Sequence, residues 1–105
     1  MADITSGITI YEQDTGVSIA TDSPYEYKEI MVETESTVDD TDTFTVTLAN
    51  YGITNIKTIK SFNHTTNGSV IVVEDPTTSV TTGVLTVTVG GSTDNLKRVV
   101  IIGGY

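Results

Sequence analysis

At 105 residues the chain has the length of one domain, and its fourteen acids against five bases leave a formal charge of −9. A surface this acidic repels phosphate, so neither nucleic acid nor an anionic membrane is expected as a partner. The absence of cysteine excludes a disulfide framework and a thiolate metal site, and no stretch approaches the ~20 apolar residues of a membrane span.

Val, Ile and Thr make up 45 of the 105 residues, while Leu and Ala number three each. Branching at Cβ stiffens the side chain and favours a pleated strand over a helix. Along the chain, residues 1–11 begin without the basic and apolar regions of a secretory signal. They carry Ile4, Ile8 and Ile10 around Ser6-Gly7. This segment is expected either as an extended N-terminal arm that adds a strand to a neighbour's sheet, or as a frayed terminus. Short strands are expected at 8–11 and 17–20, separated by a turn at Asp14-Thr15-Gly16. Residues 25–35 fit either a strand at 27–33 or a short helix with Tyr27, Ile30 and Met31 on one face. The alternation is strictest in Thr43-Phe44-Thr45-Val46-Thr47-Leu48 and in Val84-Leu85-Thr86-Val87-Thr88-Val89, where every second residue is apolar. A strand at 56–62 lies between them. Two runs, Val70-Ile71-Val72-Val73 and Val99-Val100-Ile101-Ile102, are apolar on both faces, the pattern of a central strand or of one that meets a neighbouring surface. Ser23-Pro24 and Asp75-Pro76 interrupt strand pairing, Asn50-Tyr51-Gly52 and Thr66-Asn67-Gly68 mark turns, and residues 90–95 join the last two strands. Together these elements predict one all-β domain over 1–105. Its expected form is an antiparallel β-sandwich of about eight strands, jelly-roll or immunoglobulin-like.

No residues are assigned to catalysis, cofactor binding or metal binding, and no cofactor is expected. His64 is the single histidine, and no serine lies in a nucleophile elbow. A loop histidine near a hairpin is read as a solvated residue. Asp39, Asp40 and Asp42 form the densest acid cluster. They fit either a calcium loop, which needs six to eight oxygen ligands, or a solvated loop capping the strand that starts at Thr43. Glu33 and Glu35 share a strand face in the manner of a glycosidase pair, but the chain lacks tryptophan and an evident sugar platform. The sequons at Asn63 and Asn67 suggest an exposed hairpin. In Lys97-Arg98 successive strand side chains point to opposite faces. This fits one solvated charge and one intramolecular ion pair, or one side chain docking on an acidic partner. The net charge itself fits a need for solubility or a saline habitat.

From Phe44 to Tyr105 the order of elements resembles small structural proteins of tailed viruses of bacteria and archaea. An alternating strand leads into Asn50-Tyr51-Gly52-Ile53. A two-faced apolar strand follows, then Gly83-Val84-Leu85-Thr86-Val87. The last strand runs from basic to apolar, Lys97-Arg98-Val99-Val100-Ile101-Ile102-Gly103. The resemblance implies a capsid decoration or stabilising protein that acts through protein–protein contacts, as a homo-oligomer and most often a trimer. It implies a virion location after assembly in the host cytoplasm. That location also reconciles a threonine-rich, lysine-poor composition of extracellular style with the missing signal. The other expected function is a β-sandwich binding module of a cell-surface or secreted assembly. An enzyme is not expected. Two-faced strands in so small a domain further suggest that one face of 99–102 or 70–73 meets another subunit.

Overall fold

A computed structural model describes residues 2–18, 26–64, 71–90 and 94–105 of the chain. Eight strands are present among the described residues: β1 (Thr9–Ser18), β2 (Glu26–Glu33), β3 (Thr43–Thr47), β4 (Ile56–His64), β5 (Ile71–Glu74), β6 (Thr77–Thr81), β7 (Val84–Thr88) and β8 (Lys97–Gly104). They form an antiparallel sandwich of a five-stranded sheet, ordered β1-β2-β8-β4-β5, and a three-stranded sheet, ordered β3-β7-β6. The core follows from a side-chain period of two. Phe44, Val46, Leu85 and Val87 of the small sheet meet Ile30, Val32, Val100 and Ile102 of the large one, all nearly or fully buried. Residues 26–33 form a strand rather than a helix, because β2 is paired on both sides, with β1 and with β8.

The strand count agrees with the expected eight through two offsetting differences. Residues 9–11 of the first expected strand and residues 17–18 of the second belong to one long β1, residues 19–20 lie outside the described residues, and the expected turn at Asp14 is a shift of register between Asp14 and Val17. The added strand is β6, whose five residues are all exposed and include one large apolar side chain, Val80. An edge strand with no buried face gives no apolar alternation to detect. The β6–β7 hairpin turns on Thr82 (φ 52) and Gly83 (φ 75). Positive φ at both central residues is the geometry of a type I′ turn, whose twist matches that of the flanking strands. The expected turns at Pro24 and at Asn67 lie outside the described residues.

The two runs that are apolar on both faces have opposite fates. β8 is the middle strand of the large sheet, and six of its eight residues are buried. β5 is at the edge, with Ile71, Val72 and Val73 all exposed.

The N-terminal segment is taken up by its own chain. Asp3 forms a parallel bridge with Thr43; Ile4 N donates to the Thr43 carbonyl at 2.7 Å and Thr43 N to that of Ala2 at 2.7 Å. The Thr45 amide donates to the Thr5 hydroxyl at 3.0 Å. Thr9 then opens β1. Residues 2–11, expected as an arm or a frayed end, are thus divided between the outer edge of β3 and the large sheet. Ile4, Ile8 and Ile10 supply the reason, since all three pack against the core.

Thr82 carries a β-branched side chain in the left-handed region, which costs about 1–2 kcal/mol relative to a residue that tolerates it. Thr82→Asn is therefore expected to stabilise the fold by about 1 kcal/mol. The check is the urea midpoint, which should rise without a change in slope.

Candidate functional site

Because Ile30, Val32, Val100 and Ile102 point into the sandwich, the intervening residues of β2 and β8 point away from it. Register extends this outer face across the sheet. One row runs Tyr11, Met31, Ile101, Lys60, and the next runs Thr9, Glu33, Val99, Phe62, Val73. The result is an apolar band on the side that the small sheet does not cover. Its exposure grows outward, from Val99 at 7% to Tyr11 at 48% on one margin and Val73 at 71% on the other. Tyr11, Glu12, Glu29, Met31 and Ile101 line a shallow depression of about 420 Å³ in it. At its far end Gly103 leaves the sheet bare, and the Tyr27 ring lies across the gap; a Cβ there would collide with the Tyr27 hydroxyl. Lys97 and Glu33 form a half-exposed ion pair at 3.3 Å on the same face.

The inner face holds the polar centre of the fold. Arg98, the single arginine, has no exposure. Its Nε donates to Glu74 Oε1 at 2.9 Å, and its Nη1 donates to the carbonyls of Val38 and Leu96 at 2.8 and 2.9 Å. The other Glu74 oxygen accepts from Asn63 Nδ2 at 2.8 Å. The Arg98 amide donates to the Thr34 hydroxyl at 2.8 Å, and the Thr34 amide donates back to the Arg98 carbonyl at 2.9 Å. β4, β5, β8 and the connection from β2 to β3 are thereby tied at one point. Of the two readings of Lys97-Arg98, docking outward is overturned for Arg98: it is wholly enclosed. Both side chains are in intramolecular pairs, and the half-exposed Lys97 is the nearer to a solvated charge.

Asp39, Asp40 and Asp42 lie in one loop, and the carboxylates of Asp39 and Asp42 accept from backbone amides. Asp42 is buried; its Oδ1 accepts from Ala2 N at 3.0 Å and its Oδ2 from Asp39 N at 2.9 Å. Asp39 Oδ1 accepts from Asn95 N at 3.0 Å, and the Asp40 amide donates to Asp94 Oδ1 at 3.1 Å. The cluster thus caps the loop before β3 and fastens to it both the N-terminal segment and the loop before β8. Among the described residues no group of three or more His, Asp or Glu side chains is placed to hold a metal. Nearby, the Thr5 hydroxyl donates to Asp3 at 2.6 Å and the Thr5 amide at 3.0 Å, and these bonds hold the exposed Asp3 carboxyl below its usual range.

His64 ends β4, half-exposed, between Lys97 of β8 and Ile71 of β5 in register. Glu33 and Glu35 do not share a strand face, because β2 ends at Glu33. The sequon at Asn63 does not mark an exposed hairpin residue: Asn63 is buried on Glu74. Asn67 lies outside the described residues. No helix is long and apolar enough to cross a membrane among the described residues.

Removing one partner of a buried pair strands the other charge, so Arg98→Met is expected to cost about 3–5 kcal/mol of unfolding free energy. The double substitution Arg98→Met with Glu74→Leu should recover most of that loss, as denaturant titration of the three chains will measure. Calcium titration followed by thermal melting should give no shift beyond that of equal ionic strength, since the Asp42 oxygens already accept backbone amides.

No family model, curated protein or solved structure matches the chain.

Proposed function

We propose that the chain is a non-enzymatic virion structural protein that decorates or stabilises a capsid through protein–protein contacts, assembled in the host cytoplasm and carried on the particle. The observation that carries this reading is the apolar outer face of the five-stranded sheet. Contiguous apolar surface on a small acidic domain marks a contact with protein. Here Met31, Phe62 and Ile101 stand half-covered around the nearly buried Val99, and Tyr11 and Val73 form the exposed margins. A net charge of −9 argues against nucleic acid beneath the shell as the ligand and favours the outer, protein surface. Association of identical chains belongs to the same reading, and three-fold symmetry would suit a shell.

A second reading, a binding module of a cell-surface or secreted assembly, draws on the outer face of the small sheet. There Thr43, Thr88 and Thr77 stand in one register row, and Thr45, Thr86 and Ser79 in the next. That is an uncharged hydroxyl surface of the kind exposed domains carry.

The test is cryo-electron microscopy of particles released by lysis of the cells that carry the gene. Density for this fold on the shell, with the large sheet facing inward, is the expected result; particles without it would overturn the virion reading. Tyr11→Asp with Ile101→Lys should weaken binding to the isolated shell at least about tenfold while leaving the chain folded. Co-sedimentation with purified shells measures this.

A further inference from the structure

We propose that β5 is the pairing strand of a two-fold dimer of this chain: its free edge joins β5 of a second copy antiparallel, so that two five-stranded sheets continue as one. This association is two-fold where the shell reading favours three-fold; it does not require docking on a shell, and it shares with the docking face only the margin residue Val73.

The first observation is a mismatch between pattern and place. A strand apolar on both faces is the pattern of a strand with neighbours on both sides. β8 has that pattern and that place. β5 has the pattern, but among the described strands it pairs with β4 alone. Ile71, Val72 and Val73 are 56%, 47% and 71% exposed in consequence. A strand joined to the free edge of β5 gives it the surroundings its sequence is written for.

The second observation is that the chain guards the edges of β1 and β3, and that of the two edges left open among the described residues β5 is the apolar one. Edges are normally blunted by charge, proline, bulges or a covering segment. β1 has a break of register after Asp14 and carries Glu12 and Asp14 in its sequence. β3 is covered by residues 2–5. β6 presents hydroxyl side chains, with Val80 alone apolar. β5 has no lysine, no proline and no break in its register with β4.

Charge selects the occupant. Two copies of a −9 chain repel over most of their surfaces. The β5 rim is the exception. The one charge on β5, Glu74, is buried and neutralised by Arg98, and from Ile71 to Thr88 the only other charged residue is Asp75. A basic partner would be drawn to the acidic surfaces instead. A neutral apolar edge suits a partner that is itself acidic, and antiparallel pairing of one strand with its own copy is self-complementary about a two-fold axis. Val72 and Val80 strengthen the case. Both stand at inward-facing register positions on the edge strands that Asp75-Pro76 joins, and both are about half exposed. A second sandwich set against this rim would cover them. The strand is short, so the interface is small and its dissociation constant is expected in about the micromolar range.

Sedimentation velocity on the intact chain from about 1 to 200 µM tests the pairing. The expected result is a concentration-dependent doubling of mass. The variant carrying Ile71→Lys and Val73→Lys should remain at monomer mass throughout, with an unchanged melting temperature, because both side chains are more than half exposed. The docking-face variant, Tyr11→Asp with Ile101→Lys, should still double. Hydrogen exchange should protect the β5 amides in the intact chain at high concentration and not in the lysine variant. A monomer at 200 µM, a trimer, or a lysine variant that still dimerises would each overturn the proposal. Failure of the shell experiment would leave it standing, and its own failure would leave the docking face intact.

Discussion

The ion pair between Arg98 and Glu74 is the constraint on which the rest of the sandwich depends. β5 has four residues, and the three apolar ones are exposed; its single buried side chain is Glu74. The strand is therefore held to the sheet by four register pairs with β4 and by one carboxylate drawn inward to a guanidinium on the middle strand. Both groups must leave water, and the desolvation of two ions cancels much of their attraction. What the pair contributes is registry: only one alignment of β4, β5 and β8 brings Glu74 to Arg98 Nε and Asn63 to Glu74 together. The Val38 and Leu96 carbonyls satisfy the remaining side of the guanidinium, so the loops at this end are fixed by the same group.

A five-stranded sheet opposed by a three-stranded one leaves apolar surface that the fold does not itself cover. In the middle, both faces of β8 are shielded by flanking strands, and Val99 stays nearly buried although it faces away from the small sheet. Toward β1 and β5 the shielding fails, and Tyr11 and Val73 stand in solvent. The same imbalance leaves Val72 and Val80 uncovered at the rim. Most of the acids lie in the loop before β3, along β1 and β2, and near the loop before β8, with Glu29 and Glu33 at the β2 side of the outer face. The charge that favours solubility is thus densest away from the β5 rim, while the apolar margins at Tyr11 and Val73 stay open for contact.

Where a face is buried and its neighbour wet, the sequence carries the answer. Phe44, Val46 and Leu48, and Leu85, Val87 and Val89, are all buried as their alternation requires. Edges are less legible. β6 has no buried side chain, so nothing in Thr77-Thr78-Ser79-Val80-Thr81 separates it from a loop except the Thr82-Gly83 turn behind it. The break in β1 resembles a turn because Asp-Thr-Gly suits both. Arg98 is the clearest failure. Beside Lys97 it has the look of a surface basic pair, and its burial depends on an acid 24 residues earlier that no local pattern links to it. Two signs pointed the right way: the opposite orientation of adjacent strand residues, and a lone arginine in a chain otherwise supplied with lysine. A cap before Thr43 is one of the two readings the acid cluster supports in the sequence; its distant partners, Asn95 for Asp39 and Ala2 for Asp42, are not legible there.

β8 is last of the eight in chain order and stands in the middle of its sheet, between β2 and β4. During synthesis, β1–β2 and β4–β5 can form only as separate hairpins, and Glu74 has no arginine to meet. Neither half of the large sheet has a neighbour across the gap until β8 has been made, and then one insertion forms both ladders and seats the guanidinium. Folding of this domain is consequently a late, all-at-once event of high contact order, slow for its size. A nascent chain stalled before Lys97 would present two open inner edges, on β2 and β4, to whatever chaperone or neighbouring chain is at hand.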